Sequence, residues 1–219
     1  SAPPCGFSAR ALGRPTPRTL DEAAVLEIRH GYLAAISYLD AQIGRVLTEL
    51  DTLGLSEQTI VVFWSDHGYH LGEHSLWAKT SNFELDARVP LIMATPGLSQ
   101  PGVESAALVE LLDMYPTLVE LCDLPPVAGL QGTSLKPVLL DPQAEVKQAA
   151  FTQHPRPAYY TDQPQVMGRS VRSQRYRYTE WRDAATDALV ATELYDHAQD
   201  PLETVNIADA PDSAAALAE

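Results

Sequence analysis

The sequence predicts an α/β protein: a mixed, largely parallel sheet flanked by helices, with a small antiparallel subdomain behind it. Three observations carry that expectation. One apolar stripe repeats at three- and four-residue steps between residues 21 and 53. Two short, continuously apolar runs, 59–64 and 89–94, have the composition of strands covered on both faces. Residues 149–196 alternate polar with apolar side chains over several short stretches. The organisation that follows is an irregular leader over 1–20, an α/β part over 21–145 and an antiparallel subdomain over 146–219.

The leader is rich in Pro, Ala and Arg and has no periodicity. In the stripe behind it, Val25, Ile28, Tyr32, Ala35, Ile36, Leu39, Ile43, Val46, Leu47 and Leu50 fall on one helical face. Thr19 or Asp21 can cap its start, and Gly54 sits where such a helix stops. Thr59–Trp64 and Val89–Ala94 follow as strands, separated by a polar, glycine-containing stretch. Leu112–Leu124 reads as a helix that tolerates Pro116 only in its first turn. Strands are expected at 149–153, 166–172, 175–182 and 191–196, with Ser173-Gln174 as a hairpin turn. Arg172, Arg175 and Arg177 alternate with Val171, Tyr176 and Tyr178, which predicts one wet face carrying the arginines. The Ala-rich, acidic tail from Asp209 reads as a marginal helix or frayed end.

Composition narrows the class. At 45% hydrophobic, 219 residues make a core rather than a disordered chain. Cys5 and Cys122 allow at most one disulfide, which excludes a disulfide scaffold and leaves both pairing and compartment open; Cys122 lies among helical apolar residues and reads as an inert core thiol. No apolar run approaches the roughly 20 residues of a membrane span, and no signal peptide is visible at Ser1. A net charge of −14 argues against a general nucleic-acid binder and, at first sight, against an anionic substrate.

The chemistry gathers just after the first apolar strand, where ligands collect in open α/β sheets. Ser65-Asp66-His67-Gly68 places a carboxylate and an imidazole there, with a glycine that permits an unusual turn. The residues suit a metal or acid/base pair; the plainer alternative is that Asp66 caps a loop and His67 packs on it. The order continues as Leu71-Gly-Glu-His74, Leu76-Trp-Ala-Lys79 and Arg88-Val-Pro-Leu-Ile92. That succession closely resembles the second signature region of the sulfatases, in the alkaline-phosphatase superfamily. Ser37–Gly44, Asp113-Met-Tyr-Pro-Thr117, Gln131-Gly-Thr-Ser-Leu135, Glu193-Leu-Tyr-Asp196 and Asp200–Asn206 resemble further family segments, so the likeness covers roughly residues 25 to 207. Gln153–Pro157 and Met167–Trp181 look most like the iduronate-2-sulfatase branch and its bacterial relatives.

The resemblance implies part of a sulfatase-like mixed sheet flanked by helices, and a sulfuric ester hydrolase that uses formylglycine and a divalent metal, usually calcium. By position, Asp66 and His67 would be metal ligands, and Lys79 the catalytic contact to the sulfate and the leaving oxygen. An imidazole is a soft ligand for calcium, so the metal's presence is better specified than its identity. The implied substrate is a sulfate ester, including 2-O-sulfated uronate in a polysaccharide. A periplasmic, secreted or lysosomal location would fit the family.

The family's Cys-x-Pro-Ser-Arg nucleophile motif and its early Asp-Asp pair are absent from this chain; Cys5-Gly-Phe-Ser-Ala-Arg10 imitates the former poorly. The chain is therefore expected to be the C-terminal half of such an enzyme, with formylglycine in the N-terminal half, inactive alone and prone to self-association through an uncovered face. Alternatives are a phosphoester or phosphonate hydrolase of the same superfamily and a non-catalytic carbohydrate-binding or interaction module. Other side chains have two readings each. Tyr69 and Trp77 either stack on sugar or pack; His70 and His74 line a cleft or sit as loop histidines; His154 and Arg156 could recognise a uronate carboxylate. Arg88 is expected to pair with Glu84 or Asp86, and the arginines at 169, 172, 175, 177 and 182 form either a basic stripe or a solvated strand face.

Overall fold

The computed structural model describes residues 20–97, 101–158, 164–214 and 216. Most of the expected leader, Cys5 and any Cys5–Cys122 pairing lie outside those residues. Asp21 starts the first helix, α1 (Glu22–Thr52), by accepting a hydrogen bond from the Ala24 amide at 2.8 Å. Gly54, at φ +66°, ends the turn beyond it. Val25, Tyr32, Ile43 and Leu50 of the stripe are half-buried, whereas Ile36, Leu39 and Val46 face outward, Val46 at 69% exposure.

β1 (Val61–Trp64) and β4 (Leu91–Ala94) form a two-stranded ladder from Val61↔Ala94 to Trp64↔Leu91. The pair is antiparallel, and Trp64 and Ile92 are exposed, Ile92 at 61%. Strands buried on both faces of a largely parallel sheet were expected; among the described residues every strand pairing is antiparallel. A continuous apolar run records only that both faces suit burial. Direction depends on where the chain returns, and here it comes back through a short hairpin, β2 (His70–Leu71) with β3 (Trp77–Ala78), and the single-turn helix α2 (Glu84–Ala87).

α3 (Met114–Leu121) holds Pro116 in its first turn, where the missing amide costs nothing. Before it, buried Asp113 accepts from the Glu110 and Thr133 amides at 2.7 and 2.8 Å and pairs with Lys147 at 2.7 Å. Thr117 accepts from the Leu135 amide at 2.8 Å. The 113–117 and 131–135 motifs are thus one interlocked unit, tight enough that a Cβ on Gly132 would lie 2.1 Å from the Leu112 carbonyl oxygen. α4 (Lys136–Leu140) follows. Cys122, expected in the core, is exposed, because it caps the C-terminal end of α3 rather than continuing its inner face.

β5 (Ala150–Arg156), β6 (Val166–Arg172), β7 (Tyr176–Asp183) and β8 (Leu189–Asp196) form an antiparallel meander in chain order. The β6–β7 turn is Ser173–Arg175; the Ser173 amide and hydroxyl both bond Tyr176, supplying the turn chemistry without glycine or asparagine. The phase of β7 reverses the expected one. Arg177, Thr179 and Trp181 point inward, and Tyr176 and Tyr178 lie half-exposed. The reason is ionic. Arg177, 3% exposed, reaches Glu84 at 2.5 Å and Glu203 at 2.6 Å. Nor is there a basic stripe: Arg169 faces Asp187, Arg172 faces Glu84, Arg175 grips Asp196 through two nitrogens, and Arg182 faces Glu180. Arg88 meets Glu84 only at 4.0 Å.

The chain closes on itself through the segment after β8. Asn206 accepts from the Leu194 amide and donates to the Thr192 carbonyl, and Asp200 accepts from the Thr204 and Val205 amides. The tail from Asp209 contributes a single 3-10 turn, Pro211–Ala214, among its described residues. Burial raises the Glu203 pKa, but the His197 hydrogen bond and the Arg177 charge outweigh it, so the carboxyl titrates below the ordinary glutamate value. For Asp86, burial is likewise outweighed, by His70 and Ser81. Groups lowered in the folded state stabilise it above their unfolded pKa, and that contribution is lost as pH falls through the lowered values. Thermal melts should therefore show stability falling steeply below about pH 4.5. Glu203→Gln should be less stable at neutral pH and should show a shallower acid slope.

Candidate active site

The loop after β1 is strapped to the segment before β4. The Ser65 amide donates to the Pro90 carbonyl, Gly68 to Asp86 at 2.8 Å and Tyr69 to Leu85 at 3.1 Å. The approach at Gly68 is so close that a Cβ would stand 1.8 Å from the Leu85 oxygen, which admits only glycine. The β2–β3 hairpin then turns back through Gly72 at φ +113° and His74 at φ 53°. Its exit returns Lys79 to the loop, where the ammonium lies 3.6 Å from the Asp66 carboxylate. Asp66 is the most open member of the site, its side chain 74% exposed.

His67 is held more firmly. Its Nδ1–H donates to the Gly68 carbonyl at 3.1 Å, a contact that leaves the lone pair on Nε2, and Nδ1 lies 3.6 Å from the Asp86 carboxylate. Asp86, 1% exposed, is the hub beneath the site. It faces His70 Nδ1 at 3.0 Å and accepts from the Ser81 amide and hydroxyl at 2.7 and 2.6 Å. From β5, His154 brings its Nε2 to 3.3 Å from that of His67. Burial, then the charges of His67 and Arg156, push the His154 pKa down to about 4 against the opposing pull of Asp86, so this ring is neutral at pH 7. Asp66, His67, Asp86, Ile92, Phe151 and His154 line one groove of about 1030 Å³.

The remaining candidates lie around this centre. Tyr69 stacks on Tyr32 of α1 at 5.1 Å, and Trp77 packs beside Gly72. His70 is wholly buried. His74 contacts the Leu202 carbonyl at 2.9 Å and lies against Phe83. Arg156 donates to the Thr80 carbonyl at 2.8 Å and covers the Trp181 ring at 5.3 Å. The structure thus gathers Asp66, His67 and His154 along one groove, sets Lys79 beside Asp66, and engages Tyr69, His74 and Arg156 with neighbouring protein groups. Two polar centres were not foreseen. One is Asp86, read from sequence only as a partner for Arg88. The other is Glu84, His197 and Glu203, whose donor atoms lie within 4.8 Å of one another. In that cluster Arg177 already bridges both carboxylates, so their charge is balanced by a guanidinium. No sequence spacing links residues 84, 177, 197 and 203, which meet only through the sheet.

The sulfatase family pattern matches residues 4–124, and the pattern of the N-sulphoglucosamine sulphohydrolase C-terminal region matches residues 72–219. The chain belongs to the sulfatase family. Iduronate 2-sulfatase of Homo sapiens is 35% identical to it, over 83% of this chain and 44% of that protein. The structure of BT4656 in complex with its substrate D-glucosamine-2-N,6-O-disulfate superimposes with a TM-score of 0.74 at 29% identity, covering 85% of this chain and 37% of that one. Phosphonate monoester hydrolase SpPMH from Silicibacter pomeroyi gives a TM-score of 0.76 at 30% identity, covering 97% and 43%. The chain therefore spans less than half the length of these relatives.

Sulfatases generally use a divalent metal. Two features of this sulfatase chain fit one: the open Asp66 carboxylate, and the His67 Nε2 lone pair left by the Gly68 contact. The arrangement rests on Gly68. Gly68→Ala should lower stability by about 1–3 kcal/mol, the usual cost of overpacking, measured as the shift of a urea midpoint. An unshifted midpoint would contradict the close approach to Leu85.

Proposed function

We propose that this chain is the C-terminal part of a metal-dependent sulfatase that hydrolyses sulfate esters, with 2-O-sulfated uronate units of a polysaccharide as the substrate class. The observation that carries the reading is the convergence of Asp66, His67 and Lys79 at the carboxyl end of β1, within a chain of the sulfatase family. The uronate preference is supported by the 35% identity to iduronate 2-sulfatase. Asp66 and His67 would hold the divalent ion, which supplies Lewis-acid stabilisation of charge on sulfate oxygens when bound. Lys79 places a positive charge beside them. Its ammonium, now balanced by Asp66 at 3.6 Å, would bind a sulfate oxygen and offset the negative charge that grows on the departing alkoxide. The nucleophile, a formylglycine, belongs to polypeptide beyond this chain, which contains no Cys-x-Pro-Ser-Arg.

A second reading, phosphonate monoester hydrolysis, is favoured by the fit to SpPMH. The assay therefore offers both esters. The 219-residue chain alone should turn over neither. An enzyme in which it is joined to a Cys-x-Pro-Ser-Arg-bearing half should prefer the sulfate ester, and Lys79→Ala in that enzyme should lower kcat about 10²–10³-fold, as loss of one charge-stabilising donor does. Preference for the phosphonate would select the second reading. The outward stripe of α1 supports packing against more polypeptide, so the isolated chain should self-associate in light scattering as concentration rises. A monodisperse monomer that melts cooperatively would contradict this.

A further inference from the structure

We infer that Arg88 marks a second anion subsite, one that binds a further sulfate or carboxylate group of an acidic polysaccharide beyond the sulfate ester being cleaved. The inference deepens the proposed function and rests on it. It concerns a cleft of about 470 Å³ beside the groove of Asp66, His67 and His154. Glu84, Arg88, Arg172 and Gln174 line both spaces, so cleft and groove run into one another. A saccharide chain seated at Asp66 has a continuous path to Arg88.

Charge distinguishes this cleft. Glu84 is its one lining carboxylate among the described residues, and it is shared three ways. It lies 2.5 Å from Arg177, 3.5 Å from Arg172 and 4.0 Å from Arg88. With Glu203, the other partner of Arg177, two carboxylates face three guanidiniums, a surplus of one positive charge. Arg175 also lines the cleft, but Asp196 already matches it. Arg172 shows the same surplus. Its Nε is buried without a hydrogen-bond acceptor, and burial and the Arg177 charge hold its pKa below the ordinary arginine value against the pull of Glu84. The surplus falls on Arg88, the most loosely held of the three, with its side chain 81% exposed. Its backbone, by contrast, is fixed. The Arg88 amide donates to the Glu84 carbonyl at 2.8 Å, and the Pro90 carbonyl accepts from Ser65, tying this stretch to the loop that bears Asp66. A planar guanidinium on an anchored backbone suits two-point capture of a sulfate or carboxylate. The competing account is a solvated surface arginine that adds little beyond its weak pairing with Glu84.

Binding of a fluorescently labelled tetrasaccharide of 2-O-sulfated uronate units to the 219-residue chain, followed by anisotropy, separates these accounts. Arg88→Gln should weaken binding about tenfold or more, the usual worth of a hydrogen bond to a charged group. Arg88→Lys should recover only part of the loss, because an ammonium lacks the planar fork. Arg45→Gln removes the same charge from an exposed position of α1 and should keep wild-type affinity. At 81% exposure Arg88 can be replaced without opening the core, and far-UV circular dichroism checks that each variant is folded. A tetrasaccharide stripped of sulfate tells the two anions apart: Arg88-dependent binding of it supports the site with uronate carboxylate as the bound group, and binding that needs the sulfates supports it with sulfate. Wild-type affinity in Arg88→Gln overturns the inference. So does an equal loss in Arg45→Gln, which would mean attraction to charge alone, and so does a wild-type chain that binds neither saccharide. The readout is binding, so failure here is distinct from failure of the joined enzyme to hydrolyse sulfate esters, which would overturn the functional reading itself.

Discussion

Burial of Arg177 is the constraint on which the rest of this chain depends. A guanidinium at 3% exposure is costly unless every face of it meets an acceptor or a counter-charge. Glu203 meets one edge and Glu84 the other. These partners come from the closing segment after β8 and from α2, more than a hundred residues apart. Glu203 also accepts from the Glu84 amide at 2.6 Å and faces His197 at 2.8 Å, so one carboxylate seats both the helix and the loop. The antiparallel meander and the segment bearing the candidate active site are thereby locked together.

What this lock positions is Asp86, two residues beyond Glu84. With α2 seated, Asp86 lies beneath the loop that follows β1 and organises His67, His70 and Ser81 around a single carboxylate. The hairpin above it is built from unfavourable backbone. His74, Ser75, Ala78 and Thr80 all have positive φ without being glycine. Such conformations persist only where surrounding contacts over-determine them, and they concentrate at functional sites. Here they bend the chain so that Lys79 returns to Asp66.

Charge is organised locally rather than globally. The net charge of −14 describes the whole chain, yet the groove is lined by the neutral His154 imidazole and the Asp66 carboxylate, with the Lys79 ammonium 3.6 Å from Asp66. The strand arginines are individually matched to carboxylates, so they serve cohesion rather than attraction of a polyanion. The outward apolar surfaces of α1, β1 and β4 belong to the same picture, in which a chain less than half the length of its relatives presents faces suited to further packing.

The sequence by itself determined most of the elements and the family. The α1 stripe, the four late strands and Pro116 in a first turn were legible because each depends on spacing within one segment. The family motifs that contain Asp66, His67 and Lys79 were legible because they are contiguous in sequence. Tertiary structure alone decided the antiparallel pairing of β1 with β4, the inward phase of Arg177, the exposure of Cys122 and the meeting of His67 with His154. Cys122 is exposed because it caps α3; the other three share one physical reason. Periodicity reports what a side chain would tolerate on one face, whereas strand direction, the pairing of a buried charge and the approach of two imidazoles 87 residues apart are set by where distant segments arrive.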